Sequence, residues 1–112
     1  MPARRSLSKA ALPAISEKAF QAQIVELARL RGWLCYHTHN SRRSASGFPD
    51  LCLVRLEKAG QWARLVFAEV KTDTGPLTRE QREWLLYLTL VPGAEVRVWR
   101  PDDWQAIEEL LR

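Results

Sequence analysis

Cysteine and long apolar runs are both scarce in this sequence of 112 residues. Only two cysteines occur, Cys35 and Cys52, and each lies in an apolar segment without a second cysteine at metal-binding spacing. We therefore expect reduced core thiols rather than a disulfide framework. No apolar run is long enough to cross a bilayer, and the basic N-terminus lacks the apolar centre of a signal peptide. These absences predict a cytoplasmic protein without a membrane partner.

The composition is otherwise that of an ordinary globular domain, with 46% apolar and 27% charged residues. The length suffices for one domain and not for two. A net charge of +4 favours a polyanionic partner such as nucleic acid. Residues 1–15 include Arg4 and Arg5 and show no sustained period. We predict a flexible basic arm over residues 1–15, whose arginines contact phosphates, and one folded domain over residues 16–112.

Helical periodicity recurs in three places along the chain. Ser16 is a good N-cap for a helix that ends near Arg31, and Glu17 and Gln21 share one of its faces. The motif Thr78-Arg79-Glu80-Gln81 matches a capping box and predicts the start of a second helix. Asp102 is expected to cap a third.

Apolar runs between the helices predict four strands. Two of them, before and after a turn that contains Gly60, have almost no polar alternation and are expected to be buried on both faces. The expected strands cover residues 33–38, 50–56, 65–70 and 95–99, with the turn over 57–64.

Three charged side chains are expected to meet at one end of this hairpin. Glu69 and Lys71 are two residues apart in a strand and therefore share a face. Antiparallel pairing brings Asp50 back beside them, provided that it lies opposite Glu69 or Lys71, since a slip of one residue would reverse its face. Adjacent carboxylates repel unless a cation neutralises them, and oxygen ligands favour Mg²⁺ or Mn²⁺.

Each of these residues also has an ordinary structural interpretation. Asp50 is a typical residue for the start of a strand, and Glu69 with Lys71 is typical of a surface ion pair. An acid inside an otherwise buried strand is costly without a partner, which favours the site. Cys35, His37 and His39 alternate and suggest zinc, but a fourth ligand at suitable spacing is missing. The histidines are expected instead to lie near a phosphate or to end a strand.

The loop over residues 40–46 combines small polar side chains with two arginines. Ser41, Arg42 and Arg43 can hydrogen-bond phosphate oxygens without reading bases. A solvated surface loop has the same composition, but the position directly before Asp50 favours a role in binding the nucleic-acid backbone.

The segments Gly47-Phe48-Pro49-Asp50-Leu51 and Phe67-Ala68-Glu69-Val70-Lys71, with Leu77-Thr78 and Gln81 downstream, resemble the core of PD-(D/E)XK nucleases. They are closest to the VRR-NUC branch, and the resemblance covers roughly residues 16–100. It implies a restriction-endonuclease-like α/β fold, with an αβββαβ core whose mixed β-sheet is flanked by helices.

The resemblance also implies roles for single residues. Asp50, Glu69 and the Val70 carbonyl would hold Mg²⁺ or Mn²⁺, with Glu17 as a further acidic group. Lys71 would orient the attacking water or balance developing charge. Gln81 would lie near the phosphate or the metal-bound water, and Gln21 would contact DNA.

Taken together, these features predict a metal-dependent endodeoxyribonuclease of bacterial or phage origin. No element suited to reading base sequence in a groove is evident, so recognition of branched DNA such as a Holliday junction is expected. Stand-alone proteins of the resembled kind suggest a homodimer. Two alternatives stay open: a nucleic-acid-binding module that keeps the fold without cleaving, and a small protein-interaction domain.

Overall fold

The computed structural model describes residues 14–38 and 45–112. Within these ranges the elements follow one another along the chain as α1 (Glu17–Leu30), β1 (Leu34–His37), β2 (Leu51–Glu57), β3 (Trp62–Val70), α2 (Arg79–Thr89), β4 (Ala94–Trp99) and α3 (Trp104–Leu111). This sequence of elements confirms the predicted αβββαβ core and the additional C-terminal helix.

The strands form a mixed sheet in the order β1-β2-β3-β4. The first three are antiparallel neighbours, and β4 runs parallel to β3. A parallel neighbour requires a crossover, which α2 supplies between β3 and β4. The predicted α/β class, a mixed sheet flanked by helices, is therefore confirmed.

One face of the sheet is covered by α1 and α3. The apolar stripe predicted on α1 is buried, including Phe20, Ile24 and Ala28, which recur at helical spacing. From α3, Ile107 and Leu111 enter the same cluster. They pack on strand residues of one parity: Leu51 and Leu53 from β2, Val66, Ala68 and Val70 from β3, and Trp99 from β4.

Two arginines at the hairpin end of this face tie the helices to the sheet. Arg55 donates hydrogen bonds to the carbonyl oxygens of Arg31 at 3.2 Å and Leu111 at 3.0 Å, at the C-terminal ends of α1 and α3. Its Nε also pairs with Glu57 at 2.6 Å. The guanidinium lies 4.6 Å from the ring centre of Trp33, so it stacks as well as donates.

Arg64 lies directly opposite Arg55 in the β2–β3 register. It binds both carboxylate oxygens of Glu95, at 2.7 and 2.8 Å, and donates to the Leu110 carbonyl at 3.1 Å. Its guanidinium is 5.1 Å from the same Trp33 ring. Two like charges are thus held side by side because each has its own acid and its own helix carbonyl.

The hairpin turn is shorter than the sequence predicted. The strands extend to Glu57 and from Trp62, leaving a 3₁₀ turn at Lys58–Gly60. Lys58, Ala59 and Gly60 have φ angles of 47°, 55° and 86°, and these left-handed conformations reverse the chain within a few residues. Composition alone did not reveal that Lys58 and Ala59 would adopt them.

The expectation that β2 would be buried on both faces was wrong at its far end. Leu51 and Leu53 are buried, whereas Val54 is half-buried and Leu56 is 69% exposed. The reason is that α1 and α3 cover only the face to which Leu51 and Leu53 point. Leu34 and Tyr36 of β1 lie on the same open face, at 75% and 62% exposure.

The cap predicted before α3 also differs from the structure. Asp102 lies in a 3₁₀ turn, Pro101–Asp103, that precedes the helix. The side chain that accepts a backbone N–H there is that of Asp103, which binds the Arg100 nitrogen at 2.9 Å. Asp102 therefore does not directly precede the helix. Across the described ranges, no helix is both long and apolar enough to cross a membrane.

Candidate active site

The β2–β3 register brings the first predicted acid back beside the second. Leu51 pairs with Ala68, so the next step along the antiparallel ladder sets Asp50 opposite Glu69. Side chains directly opposite each other share a face. The parity condition derived from the sequence is therefore met, and Asp50 and Glu69 lie on the face away from the α1–α3 core.

Asp50 is held by the backbone of the strand opposite. Its Oδ2 accepts a hydrogen bond from the Val70 N–H at 2.8 Å. Because Asp50 precedes the first residue of β2, its carboxylate continues the hydrogen bonding of β3 beyond the end of the ladder. The strand-start role and a role in a site are thus compatible, since this contact is made by only one of the two carboxylate oxygens.

Glu69 is the buried charged residue of the described chain, with 2% exposure. Its Oε2 accepts a hydrogen bond from the Gln81 amide at 2.8 Å. Its Oε1 is buried without a hydrogen-bond partner. Burial, followed by the charge of Asp50, raises the pKa of Glu69 to about 8, and Lys71 partly opposes that shift. The surroundings of this carboxyl group therefore disfavour its ionised form.

Lys71 and Glu17 lie close enough to act electrostatically on the acids. Lys71 follows the last residue of β3, where its backbone N–H donates to the Trp99 carbonyl at 3.0 Å. Glu17 is the first residue of α1, after the Ser16 cap whose Oγ accepts from the Ala19 N–H at 3.0 Å. Partial burial and then Asp50 raise the pKa of Glu17, and Lys71 lowers it. The helix glutamate implied by the resemblance thus lies beside the hairpin acids.

The N-terminus of α2 forms one wall of the site. The predicted capping box is present: Thr78 Oγ1 accepts from the Gln81 N–H at 3.1 Å, and Gln81 Oε1 accepts from the Thr78 N–H at 2.9 Å. Gln81 Nε2 then reaches Glu69. Gln81 therefore has both the structural role that the sequence indicated and a direct contact with a predicted site residue.

Sequence reasoning missed how the loop that carries Asp50 is held. The Phe48 ring packs edge-on against Trp84 and Phe67, with ring centres 5.0 and 5.9 Å apart. Trp84 also donates from Nε1 to the Ser46 carbonyl at 3.2 Å. No sequence signal joined Trp84 to this loop, which lies 38 residues earlier in the chain.

Gly47 allows this loop to lie directly on α2. Its φ is +90°, and a Cβ at this position would come within 2.5 Å of the Glu80 backbone carbon. The absence of a side chain at Gly47 therefore permits a close approach to the α2 backbone at Glu80. Any side chain here would push the Asp50 loop away from Gln81 and Glu69.

A cleft of about 610 Å³ opens beside the Asp50 loop and the N-terminal ends of α1 and α2. Glu17, Gln21, Asp50 and Gln81 line it, so Gln21 shares the cleft with the acids. Lys18, which sequence reasoning did not single out, contributes a cation to the same lining.

Several predicted residues lie outside the described part of the chain. They are Arg4, Arg5, His39, Ser41, Arg42 and Arg43. Cys35, one member of the zinc alternative, packs against the core, and Cys52 is half-buried on the opposite face. Burial raises the pKa of both thiols.

The chemistry of the acidic pair can be tested against a divalent cation. Within residues 14–38 and 45–112, no three His, Cys, Asp or Glu side chains are grouped closely enough to form a metal cage. Mg²⁺ is commonly held by one or two carboxylates together with water and substrate phosphate, so it does not need such a cage. The buried, unpartnered Oε1 of Glu69 and the neighbouring carboxylate of Asp50 supply hard oxygen ligands. A cation would neutralise the negative charge of this pair. The residues present therefore fit the ion.

A mixed sheet with paired acids and a lysine at one end of a β-hairpin defines the PD-(D/E)XK type of nuclease. The VRR-NUC domain matches residues 3–100. The chain therefore belongs to the VRR-NUC family of this nuclease superfamily, whose members are hydrolases that generally use divalent metal ions. A nuclease domain of this kind implies DNA as the substrate. No curated protein sequence and no solved structure matches the chain.

Proposed function

We propose that the protein is a Mg²⁺- or Mn²⁺-dependent endonuclease that hydrolyses phosphodiester bonds in DNA, with Asp50 and Glu69 as the acids of its site. The observation that carries the proposal is the Glu69 carboxylate. It is 2% exposed, lies beside a second acid and has one oxygen without a partner. An uncompensated buried acid is costly to keep for stability alone.

The residues divide the chemistry between them. Asp50, Glu69 and the Val70 carbonyl would hold the ion, and Glu17 would support it from α1. A bound divalent ion acidifies water and balances the charge that develops on the phosphoryl oxygens. Lys71 orients the attacking water or stabilises that charge. The hydrogen bond from the Val70 N–H to Asp50 supports this arrangement, because it orients one carboxylate beside the other.

Backbone binding in this proposal comes from polar and basic side chains around the cleft. Gln21 lines it, and Lys18 adds a charge. The basic positions Arg4, Arg5, Arg42 and Arg43, together with Ser41, extend the contacts to phosphates. Binding to phosphates releases counterions, so affinity for DNA is expected to fall as salt rises.

Selection of branched DNA and assembly as a homodimer complete the proposal. Two copies would supply two sites for symmetric cleavage of a four-way junction. The open face of the sheet supports assembly, because Leu34, Tyr36 and Leu56 expose an apolar patch there. Sedimentation should then show a dimer, and substitution of Tyr36 by Glu should shift it towards monomer. A monomer at working concentrations would contradict this part.

The central test is cleavage of labelled junctions, flaps and linear duplexes with Mg²⁺, Mn²⁺ or EDTA. We expect cleavage only with the ion, and more on branched DNA. Lys71→Ala should lose most cleavage while it retains DNA binding, because Lys71 acts on the reaction rather than on the duplex. Lys58→Ala is the matched control, since Lys58 is an exposed lysine in the turn at the opposite end of the hairpin.

The outcomes separate the candidate functions. Salt-sensitive binding without cleavage in any metal would favour the non-cleaving module on the same fold. If the protein neither binds nor cleaves DNA, a protein-interaction domain is the remaining candidate. Full cleavage by Lys71→Ala would contradict the role proposed for that lysine.

A further inference from the structure

The Gln81 side chain connects the start of α2 to the buried acid of β3. Its Oε1 accepts a hydrogen bond from the Thr78 N–H at 2.9 Å, and its Nε2 donates to Glu69 Oε2 at 2.8 Å. The same amide therefore caps α2 and donates a hydrogen bond to Glu69.

The capping box determines which way this amide faces. A flip of the amide would turn its NH₂ group towards the Thr78 N–H, so that two donors would meet. It would also turn the carbonyl oxygen towards the Glu69 carboxylate, so that two acceptors would meet. The cap of α2 thus selects the orientation in which Gln81 presents a donor to Glu69.

This contact leaves the two oxygens of Glu69 in different states. Oε2 is occupied by the Gln81 donor, whereas Oε1 is buried and has no partner. A carboxylate with one oxygen held by a donor on a helix cannot rotate freely about its last bond. The free oxygen is consequently kept in one direction beside Asp50.

We infer that Gln81 is a positioning residue, which holds Glu69 so that Oε1 is presented to a divalent cation. This inference rests on the proposed nuclease function and assigns Gln81 a task other than the phosphate contact expected from the sequence. The placement suits the task, because a residue in the first turn of a capped helix is more rigid than one on a loop. The neighbouring loop is held by the same helix through Phe48 and Trp84.

Two variants distinguish positioning from helix capping. Gln81→Leu removes the cap acceptor and the donor to Glu69, whereas Thr78→Ala removes the cap hydroxyl and leaves the Gln81–Glu69 bond. Both should lower the melting temperature to a comparable extent, measured in EDTA. Only Gln81→Leu should weaken Mn²⁺ binding in calorimetry, by about 10- to 100-fold, the usual effect of losing a group that orients a metal ligand.

The two variants should also differ in kcat, for the same reason. Gln81→Leu should lower kcat at saturating Mn²⁺ and leave the KM for DNA close to that of the wild type, because it disturbs the acid and not the duplex. Thr78→Ala should keep both constants within about twofold of the wild type. Wild-type Mn²⁺ affinity in Gln81→Leu, or an equal loss in Thr78→Ala, would overturn the inference.

A measurement without metal keeps the inference separate from the proposed function. In EDTA, the side-chain amide protons of Gln81 should be shifted and slow to exchange in NMR spectra. Glu69→Leu should abolish both signatures, because it removes the acceptor while it keeps an apolar volume. Wild-type protein that binds no Mn²⁺ would contradict the nuclease, whereas a Gln81 amide unaffected by Glu69→Leu would contradict the positioning bond itself.

Discussion

The β2–β3 hairpin places like charges opposite each other at both of its ends, and the two ends treat them differently. Near the turn, Arg55 faces Arg64, and each has a carboxylate partner and a helix carbonyl as an acceptor. At the open end, Asp50 faces Glu69, and one Glu69 oxygen has no partner. The protein can therefore neutralise a like-charged pair fully, and it does so at one end only.

The difference separates stability from function within one element. The arginine pair ties α1 and α3 to the sheet, so its charges contribute to the stability of the folded state. The acid pair leaves a carboxylate with an elevated pKa, which is characteristic of sites that bind or react. Substitutions at the arginine end should consequently lower stability without changing cleavage per folded molecule. Substitutions at the acidic end should lower cleavage without lowering stability.

Glu69→Gln should produce the largest effect and break the acidic end. We expect cleavage to fall by about a hundred-fold or more, because the ion loses a charged ligand. Stability in EDTA should be retained or increased at pH 8, because a neutral amide replaces a carboxyl that is costly to ionise. Single-turnover cleavage and thermal unfolding measure the two effects.

Glu95→Gln is the control for this experiment from the opposite end. It removes the negative charge that pairs with Arg64, so it should lower stability and leave cleavage per folded molecule unchanged. Equal losses of cleavage in both variants would contradict the division between the two ends.

Arg55→Met tests the basic end directly. It removes the hydrogen bonds to Arg31 and Leu111 and the pairing with Glu57, while it keeps part of the contact with Trp33. We expect a loss of about 2–3 kcal/mol in the free energy of unfolding, because the part-buried Arg31 carbonyl loses the Arg55 donor and Glu57 loses its charged partner. The Leu111 carbonyl keeps the hydrogen bond from Trp33 Nε1.

Urea unfolding measures this loss, and cleavage per folded molecule should not change. Arg97→Met is the comparison, since Arg97 is exposed on β4. It should cost less than about 0.5 kcal/mol. A destabilisation by Arg55→Met no larger than that of Arg97→Met would mean that the arginine does not join the helices to the sheet.

A further expected effect is a pH dependence of stability between about pH 4.5 and pH 8, which the acidic end should show and the arginine end should not. The folded-state pKa of Glu69, about 8, lies above its ordinary value of 4.5. The folded state therefore keeps a proton that the unfolded state releases, and the stability due to this group declines as pH rises from 4.5 through 8. The slope from one group is at most about 1.4 kcal/mol per pH unit.

The measurement compares urea unfolding of wild type and Glu69→Gln in EDTA across this range. The difference between them should change steadily with pH, to the disadvantage of the wild type. Added Mg²⁺ should reduce the slope, because the ion stabilises the ionised carboxylate. Parallel curves in EDTA would mean that Glu69 is not perturbed.

Local features of this protein were predictable from its sequence. Ser16 and the Thr78–Gln81 capping box marked two helix starts, because caps act over three residues. The period of two placed Glu69 and Lys71 on one face, and the hairpin pattern indicated how Asp50 would return to them. The failed predictions of the turn and of the α3 cap concern boundaries where several conformations suit the same residues. The failed prediction that β2 is buried on both faces concerned packing, since the helices α1 and α3 cover only one face.

Contacts between distant segments could not be read in the same way. Whether Glu69 would be exposed in a surface ion pair or buried with an unpartnered oxygen depended on how α2 and the Asp50 loop pack against β3. The four acceptors and the aromatic ring around Arg55 likewise come from separate parts of the chain.

The sequence by itself determined the order and type of the helices and strands, the alternation of faces along each strand and the chemical types available to the site. The tertiary structure alone decided which charges are neutralised at each end of the hairpin. The physical reason is that propensity, capping and alternation act over a few residues, whereas burial and charge compensation depend on groups brought together from the whole fold.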